Sequence, residues 1–319
     1  MKKTLLILGG TGFFGKSFIH AFKAGYLESW HIGHLCIAGR NATRFIENNP
    51  RYRATNISFK DIDLLNVREL PRCDYLMHFA ASSDASTYKN SGASEQYNIE
   101  QNMIQFCNVL KTTKKPPGAV LFASSGAIYG KMKSQPFAES YICNDFTNLS
   151  AELRAYATGK LGAEKSFLQL SGHIENLSIA RCFAFVGPEL PLNSHFVAGN
   201  LIRDILNRKK LTIQAIQKVV RSYMHTDDLI TSLMTVMTAQ RQDVGIYNVG
   251  SDDAVVIQDL VGQLAAFFGL DYAIPELKVV SQDYYVPNTD KLKALLNFTP
   301  KSSFESLVHT VQDHTKINS

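Results

Sequence analysis

This 319-residue sequence predicts an α/β fold, a doubly wound parallel sheet carrying a smaller C-terminal lobe. Three observations carry that expectation. The apolar run Leu5-Leu6-Ile7-Leu8 passes without a break into Gly9-Gly10-Thr11-Gly12-Phe13-Phe14-Gly15, which reads as strand, glycine-rich turn, helix. Short apolar strands then alternate with amphipathic helical patterns as far as Ala123. Segments of small or hydroxyl residues, Gly9 to Gly15, Ala80 to Ser83 and Ser124 to Ser125, all fall at the carboxyl ends of those strands, where sheets of this kind bind ligands.

Taken in order, the first turn is G-x-x-G-x-x-G. Gly9 can turn tightly, Gly12 leaves room for a pyrophosphate, and Gly15 lets the helix pack close to the strand. Phe13 and Phe14 belong to the same cofactor turn, and the helix they open points its N-terminal N–H groups at an anion. Alone, the motif also fits an ordinary strand-to-helix turn. Phe14, Phe18, Ile19 and Phe22 share one helical face, and Gly25 is the stop.

A second strand, His34 to Ala38, ends at Gly39-Arg40, about 25 residues beyond Gly15, where such folds place the residue that meets the adenosine ribose. An acid there would bind the 2′-hydroxyl of NAD. Arg40 instead suits the 2′-phosphate of NADP, with an exposed arginine at a strand end as the equal alternative. Ile57 to Lys60 is a third strand, running into Asp61-Ile62. Tyr75 to Phe79 is a fourth, followed by Ala80-Ala81-Ser82-Ser83, and His78 within it is expected to be a hydrogen-bonded core histidine. Asn98 to Leu110 reads as a helix with Ile99, Met103, Phe106 and Leu110 on one face. After Pro116-Pro117-Gly118 comes the fifth strand, Ala119 to Ala123.

Composition narrows the function classes. The net charge of +5 is dispersed, with short clusters only at Lys111 to Lys115 and Arg208 to Lys210, which speaks against nucleic acid as a partner. Five cysteines, odd in number and without a C-x-x-C or Cys/His cluster, point to a reducing compartment and no structural metal. No apolar span approaches the roughly 18 residues a membrane helix needs, and the N-terminal run belongs to the first strand. A soluble cytoplasmic protein, not a membrane partner, is the expectation.

The chemistry-bearing residues come next: Ser124-Ser125-Gly126-Ala127-Ile128-Tyr129-Gly130, then Tyr156-Ala157-Thr158-Gly159-Lys160. A tyrosine and a lysine four apart lie on one helix face, so the ammonium is expected to favour phenolate and lower the tyrosine pKa. Such a tyrosine exchanges protons with an alcohol or sugar oxygen. In this order, on a Rossmann-type pattern, the sequence resembles the extended short-chain dehydrogenase/reductases, specifically the nucleotide-sugar epimerase/dehydratase family. The resemblance runs through Asp61-Ile62, His78 to Ala81, Arg181 to Pro188, Arg221 to Asp228 and Tyr247-Asn248-Val249-Gly250.

The resemblance implies that Asp61 and Ile62 contact adenine and that Ala80, Ala81 and Ser82 line the cofactor. Ser125 would be the catalytic hydroxyl and Tyr156 the acid/base. Lys160 would bind the nicotinamide ribose, Arg221 would hold the diphosphate of a nucleotide sugar, and Asn193 and His195 would lie near it. An N-cap role for Asn193 or Ser194 is the alternative for that loop. Homodimerisation through the helices near Asn98 to Leu110 and Tyr156 to Leu170 is implied as well.

Departures from the family pattern narrow the chemistry. Gly126 and Ala127 stand where the 4,6-dehydratases carry proton-transferring acids, which disfavours dehydration and acid-dependent decarboxylation alike. What remains is NAD(P)-dependent hydride transfer at C4 of a nucleotide-activated sugar, by 4-keto reduction or 4-epimerisation, in surface-polysaccharide or deoxysugar biosynthesis. Arg40 tilts the cofactor towards NADP over NAD. A 4,6-dehydratase drawing on Glu139, otherwise expected to be solvated, is the alternative. A non-catalytic NAD(P)-sensing regulator is the alternative of another class. Residues 1–180 and 222–250 are expected to form the dinucleotide-binding domain, and 181–221 and 251–319 a substrate-binding lobe. Asp227 and Asp228 are expected to cap a helix start.

Overall fold

The computed structural model describes residues 1–80, 92–131, 135–193 and 196–318. Its strands are β1 Lys3–Leu8, β2 Ile32–Gly39, β3 Ile57–Asp61, β4 Tyr75–His78, β5 Ala119–Ser125, β6 Asn176–Cys182, β7 Phe185–Val186, β8 Leu211–Thr212, β9 Gln217–Arg221, β10 Met224–His225, β11 Gly245–Val249, β12 Val255–Val256, β13 Tyr272–Ala273 and β14 Val279–Tyr285. The helices are α1 Phe13–Lys23, α2 Ala42–Asn48, α3 Gly92–Thr112, α4 Ala151–Leu168, α5 Val197–Leu206, α6 Thr226–Thr238, α7 Ile257–Phe268, α8 Asp290–Lys293 and α9 Ser303–Asn318.

Leu5, Leu6, Ile7 and Leu8 are all buried, because β1 is covered on both faces. Successive side chains point to opposite sides, so Leu5 and Ile7 pack with Phe18, Leu229 and Leu233 of α1 and α6. Leu6 and Leu8 pack with Met103, Phe106 and Phe167 of α3 and α4. Seven parallel strands follow the order β11-β6-β5-β4-β1-β2-β3 among the described residues. The chain runs one way from β1 to β3 and the other way from β4 outward. The crevice between β1 and β4, where the strand order reverses, is the ligand position of such a sheet.

A second cluster gathers Leu201 and Ile202 of α5, Leu260, Val261 and Leu264 of α7, and Leu307 of α9. The three-stranded sheet β12-β9-β14 flanks it, with Tyr285 beside Arg221 in the parallel β14–β9 register. No helix among the described residues is long and apolar enough to cross a membrane.

Some boundaries differ from expectation. The helix read from Asn98 begins at Gly92, and a short strand precedes α7 at Val255. Helix α5 begins at Val197 with Phe196 at its N-cap and no capping side chain, so Asn193 lies too far upstream to cap it. Ser194 lies outside the described residues.

Candidate active site

The glycine turn is shaped by contacts. Gly9 has φ +75°, and a Cβ there would lie 2.6 Å from Ala80 N, so any side chain would collide with the start of the β4 loop. A Cβ on Gly15 would come within 2.0 Å of the Gly10 carbonyl, so α1 packs directly on the turn. A Cβ on Gly12 would meet only Gly9 O, at 3.4 Å, leaving open space over the N-terminus of α1. Gly12 is the N-cap and offers no capping side chain, so the first N–H groups of the helix face that space. Gly9, Gly12, Phe13 and Phe14 line a cavity of about 1040 Å³. This cradle fits the pyrophosphate of a dinucleotide.

Asp61 ends β3 and Ile62 follows it, but their polar groups have partners already. Asp61 accepts from the Thr43 N–H at 2.9 Å, which holds its carboxyl below the usual range, and the Ile62 N–H donates to Gly39 O at 3.0 Å. Arg40 is exposed at the end of β2, and its charge reaches the buried carboxyl of Glu95 on α3. Ala80 meets the Gly9 turn; Ala81 and Ser82 lie outside the described residues.

Ser125, Tyr156 and Lys160 converge on the same cavity. Ser125 ends β5, and its Oγ accepts from the Ala127 N–H at 3.2 Å while facing the Tyr156 hydroxyl as a hydrogen-bond partner. Lys160 is buried, with Nζ 5.9 Å from the Tyr156 ring centre and donating to Ala123 O at 2.8 Å. Here the structure corrects the expected ionisation. Burial pushes the Tyr156 phenol up to about 12, and the hydrogen bond from Ser125 offsets only part of that. Burial likewise brings the Lys160 ammonium down to about 8. Removal from water dominates at the tyrosine, and Cys182 and Glu95 push the same way.

Arg221 lines the cavity from β9, half-buried, with Nη2 donating to Asp283 Oδ2 at 2.6 Å. Asn193 is exposed and does not line the cavity, and His195 lies outside the described residues.

A model of the NAD-dependent epimerase/dehydratase family matches residues 5–250. The chain belongs to that family. It is 24% identical over 302 residues to UDP-glucuronic acid decarboxylase 5 of Arabidopsis thaliana, covering 93% of this chain and 84% of that protein. Its fold superposes on UDP-N-acetylglucosamine 4-epimerase of Methanobrevibacter ruminantium, solved with UDP-N-acetylmuramic acid, at TM-score 0.78 and 20% identity, covering 99% of this chain and 100% of that one. It also superposes on UDP-glucuronic acid 4-epimerase of Bacillus cereus, solved with UDP-glucuronic acid and NAD, at TM-score 0.75 and 19% identity, covering 98% and 99% of the two chains.

Behind the cavity runs a polar network that sequence reading missed. Arg181 pairs with Glu164 through two bonds of 3.1 and 2.9 Å and donates to Tyr129 Oη at 2.9 Å; Tyr129 in turn donates to Asn248 Oδ1 at 2.6 Å. Glu139 joins it, accepting from the Asn248 N–H at 2.8 Å through its carboxylate and from Arg181 at 2.7 Å through its carbonyl. Its expected solvation is thereby corrected: the residue pins the 135–139 loop to β11 and does not line the cavity.

His78 is a core histidine, but neither ring nitrogen has a hydrogen-bond partner in another described residue. Its ring stands edge-on to Phe106 and Phe122, and burial together with the Lys160 charge lowers its pKa to about 3, so it stays neutral. Asp227 and Asp228 occupy the first turn of α6 and reach outward, Asp227 to His225 at 3.3 Å and Asp228 to the Lys301 N–H at 2.9 Å. His225, His309 and Asp313 group metal-binding residue types. The two imidazoles stack 21° from parallel, and Asp313 pairs with His225 at 3.3 Å, which ties α9 to β10.

Proposed function

We propose that this epimerase/dehydratase catalyses hydride transfer at C4 of a nucleotide-activated sugar, either epimerising that centre or reducing a 4-keto group. The observation that carries the reading is the convergence of Ser125, Tyr156 and Lys160 on a cavity whose neighbouring positions, Gly126 and Ala127, have no group able to move a proton. When bound, the nicotinamide supplies the hydride acceptor and donor. Tyr156 takes the proton of the sugar hydroxyl, or gives one to the keto oxygen, and Ser125 holds that oxygen by a hydrogen bond. Lys160 orients the nicotinamide ribose and sets the charge beside Tyr156. Arg221, released from Asp283, holds the diphosphate. Arg40 is the residue proposed to meet the adenosine ribose and to decide between NAD and NADP.

Dehydration through Glu139 is not supported, since that carboxylate is spent on the Asn248 N–H. Among the described residues, the carboxylates that line the cavity are Glu152 and Asp283, the latter paired with Arg221. The test is turnover of a panel of UDP- and dTDP-sugars, including UDP-glucose, UDP-glucuronate and a dTDP-4-keto-6-deoxyhexose, by parent and Tyr156→Phe enzyme. Loss of about 10²- to 10⁴-fold in turnover with NAD binding retained is expected. Normal turnover in that variant, or release of carbon dioxide from UDP-glucuronate by the parent, overturns the proposal.

A further inference from the structure

Tyr285 ends β14 beside Arg221, with its ring against Phe183 at 4.8 Å between centroids. Its hydroxyl faces Ser125, as the Tyr156 hydroxyl does. A serine hydroxyl has one proton to give and two lone pairs to offer. The Ala127 N–H takes one lone pair, so the two tyrosines share what is left. One donates into Ser125 and the other accepts from it.

The contact with residue 126 is a second, independent sign. A Cβ on Gly126 would lie 2.7 Å from Tyr285 Oη and 2.7 Å from Phe183 Cζ. The place that a side chain at 126 would need is therefore held by Tyr285. Glycine is the residue that admits it.

We infer that Tyr285 is a positioning residue of the reaction: it donates to Ser125 Oγ, which turns the Ser125 proton onto Tyr156 Oη and readies Tyr156 to accept a proton from the substrate. The inference rests on Tyr156 as the acid/base. Since Tyr156 is the phenol that gives up its proton in the reaction, Tyr285 keeps its own and is the donor of the pair. Among the described residues, Tyr156 faces Lys160 on its own helix, Ser125 from β5, Cys182 from β6, Glu95 from α3 and Tyr285 from β14. Lys160 stands 5.9 Å from the Tyr156 ring centre with one N–H held by Ala123 O, and Glu95 opposes a phenolate. Ser125 is a hydrogen-bond donor to an ionised Tyr156, and Tyr285 fixes its direction.

The test uses the full chain with NAD bound and difluorotyrosine placed at position 156 alone, so that one ¹⁹F resonance reports its ionisation without any turnover. Tyr285→Phe should raise the midpoint by about one pH unit, the direction expected when a donor to the charged form is lost. In a Ser125→Ala chain the same substitution should add nothing, whereas Ser125→Thr should keep the parent midpoint. Tyr285→Leu gives a second reading should the phenylalanine variant pack poorly. No shift on losing the Tyr285 hydroxyl, or an equal shift with and without Ser125, overturns the relay. Failure of the acid/base role shows separately, as turnover surviving in Tyr156→Phe.

Discussion

At the scale of single residues, the site is governed by what is removed from water. Burial pushes Tyr156 and Lys160 each towards its neutral form, the phenol up to about 12 and the ammonium down to about 8. Gly126 shows the same economy in volume. Gly126→Ala should destabilise the chain by about 1–3 kcal/mol, because its methyl meets Tyr285 and Phe183 at once. A lowered urea midpoint checks this, and an unchanged one means those rings can withdraw. The sequence made Ser125, Tyr156 and Lys160 legible because their chemistry rests on short spacings along one strand end and one helix. It also showed Gly126 as the absence of an acid. What it could not show was the reason, since Tyr285 comes from a strand far along the chain. Nor was the Tyr156 ionisation legible, because depth of burial belongs to the folded state.

At the scale of elements, α1 is held from behind as firmly as its N-terminus is left open. Glu189, just past β7, is buried and accepts from Tyr52 Oη at 2.5 Å, with His20 Nε2 at 2.6 Å and Lys16 and Arg51 each at 3.3 Å. Burial alone would raise its carboxyl, but these partners prevail and bring it down to about 2. A depressed carboxyl stabilises the fold above its ordinary pKa of 4.5 and loses that contribution as pH falls from there towards 2. Glu189→Gln should therefore cost on the order of 3 kcal/mol at pH 7 and flatten the acid limb of the stability profile. Urea denaturation at pH 7 and through the acid range measures both; equal stability at pH 7 would mean the network carries no net energy. The strands and the core faces of α1 and α3 were legible from apolar periodicity, as Leu5 to Leu8 and Ile99 to Leu110 attest. Helix ends were less so: nothing local marks Val197 as the start of α5, because no side chain caps it.

At the scale of the whole molecule, the cavity lies over the carboxyl ends of the sheet and takes Arg221, Asp283 and Tyr285 from β9 and β14. A ligand filling it engages both sets of elements, so NAD at a hundred times its dissociation constant should add about 2.7 kcal/mol to unfolding. Thermal melts with and without NAD or NADP check the effect and rank the two cofactors. No stabilisation by either would undo the assignment of the Gly9 cradle. Mass spectrometry of nucleotide released from the fresh protein divides the two reactions: stoichiometric NAD marks an epimerase that regenerates its cofactor, and an empty site or weakly kept NADP marks a reductase.

The strand order has a further consequence, one that concerns the ribosome. Strand β6 is completed at Cys182, but its outer neighbour β11 starts only at Gly245. Roughly sixty residues separate them, about 3 to 12 seconds of elongation at ordinary speeds. Through that interval Leu177 and Ile179 sit on an open edge of a half-finished sheet, a template for pairing with another nascent chain. The hazard of this fold falls in its synthesis, before β11 closes the edge.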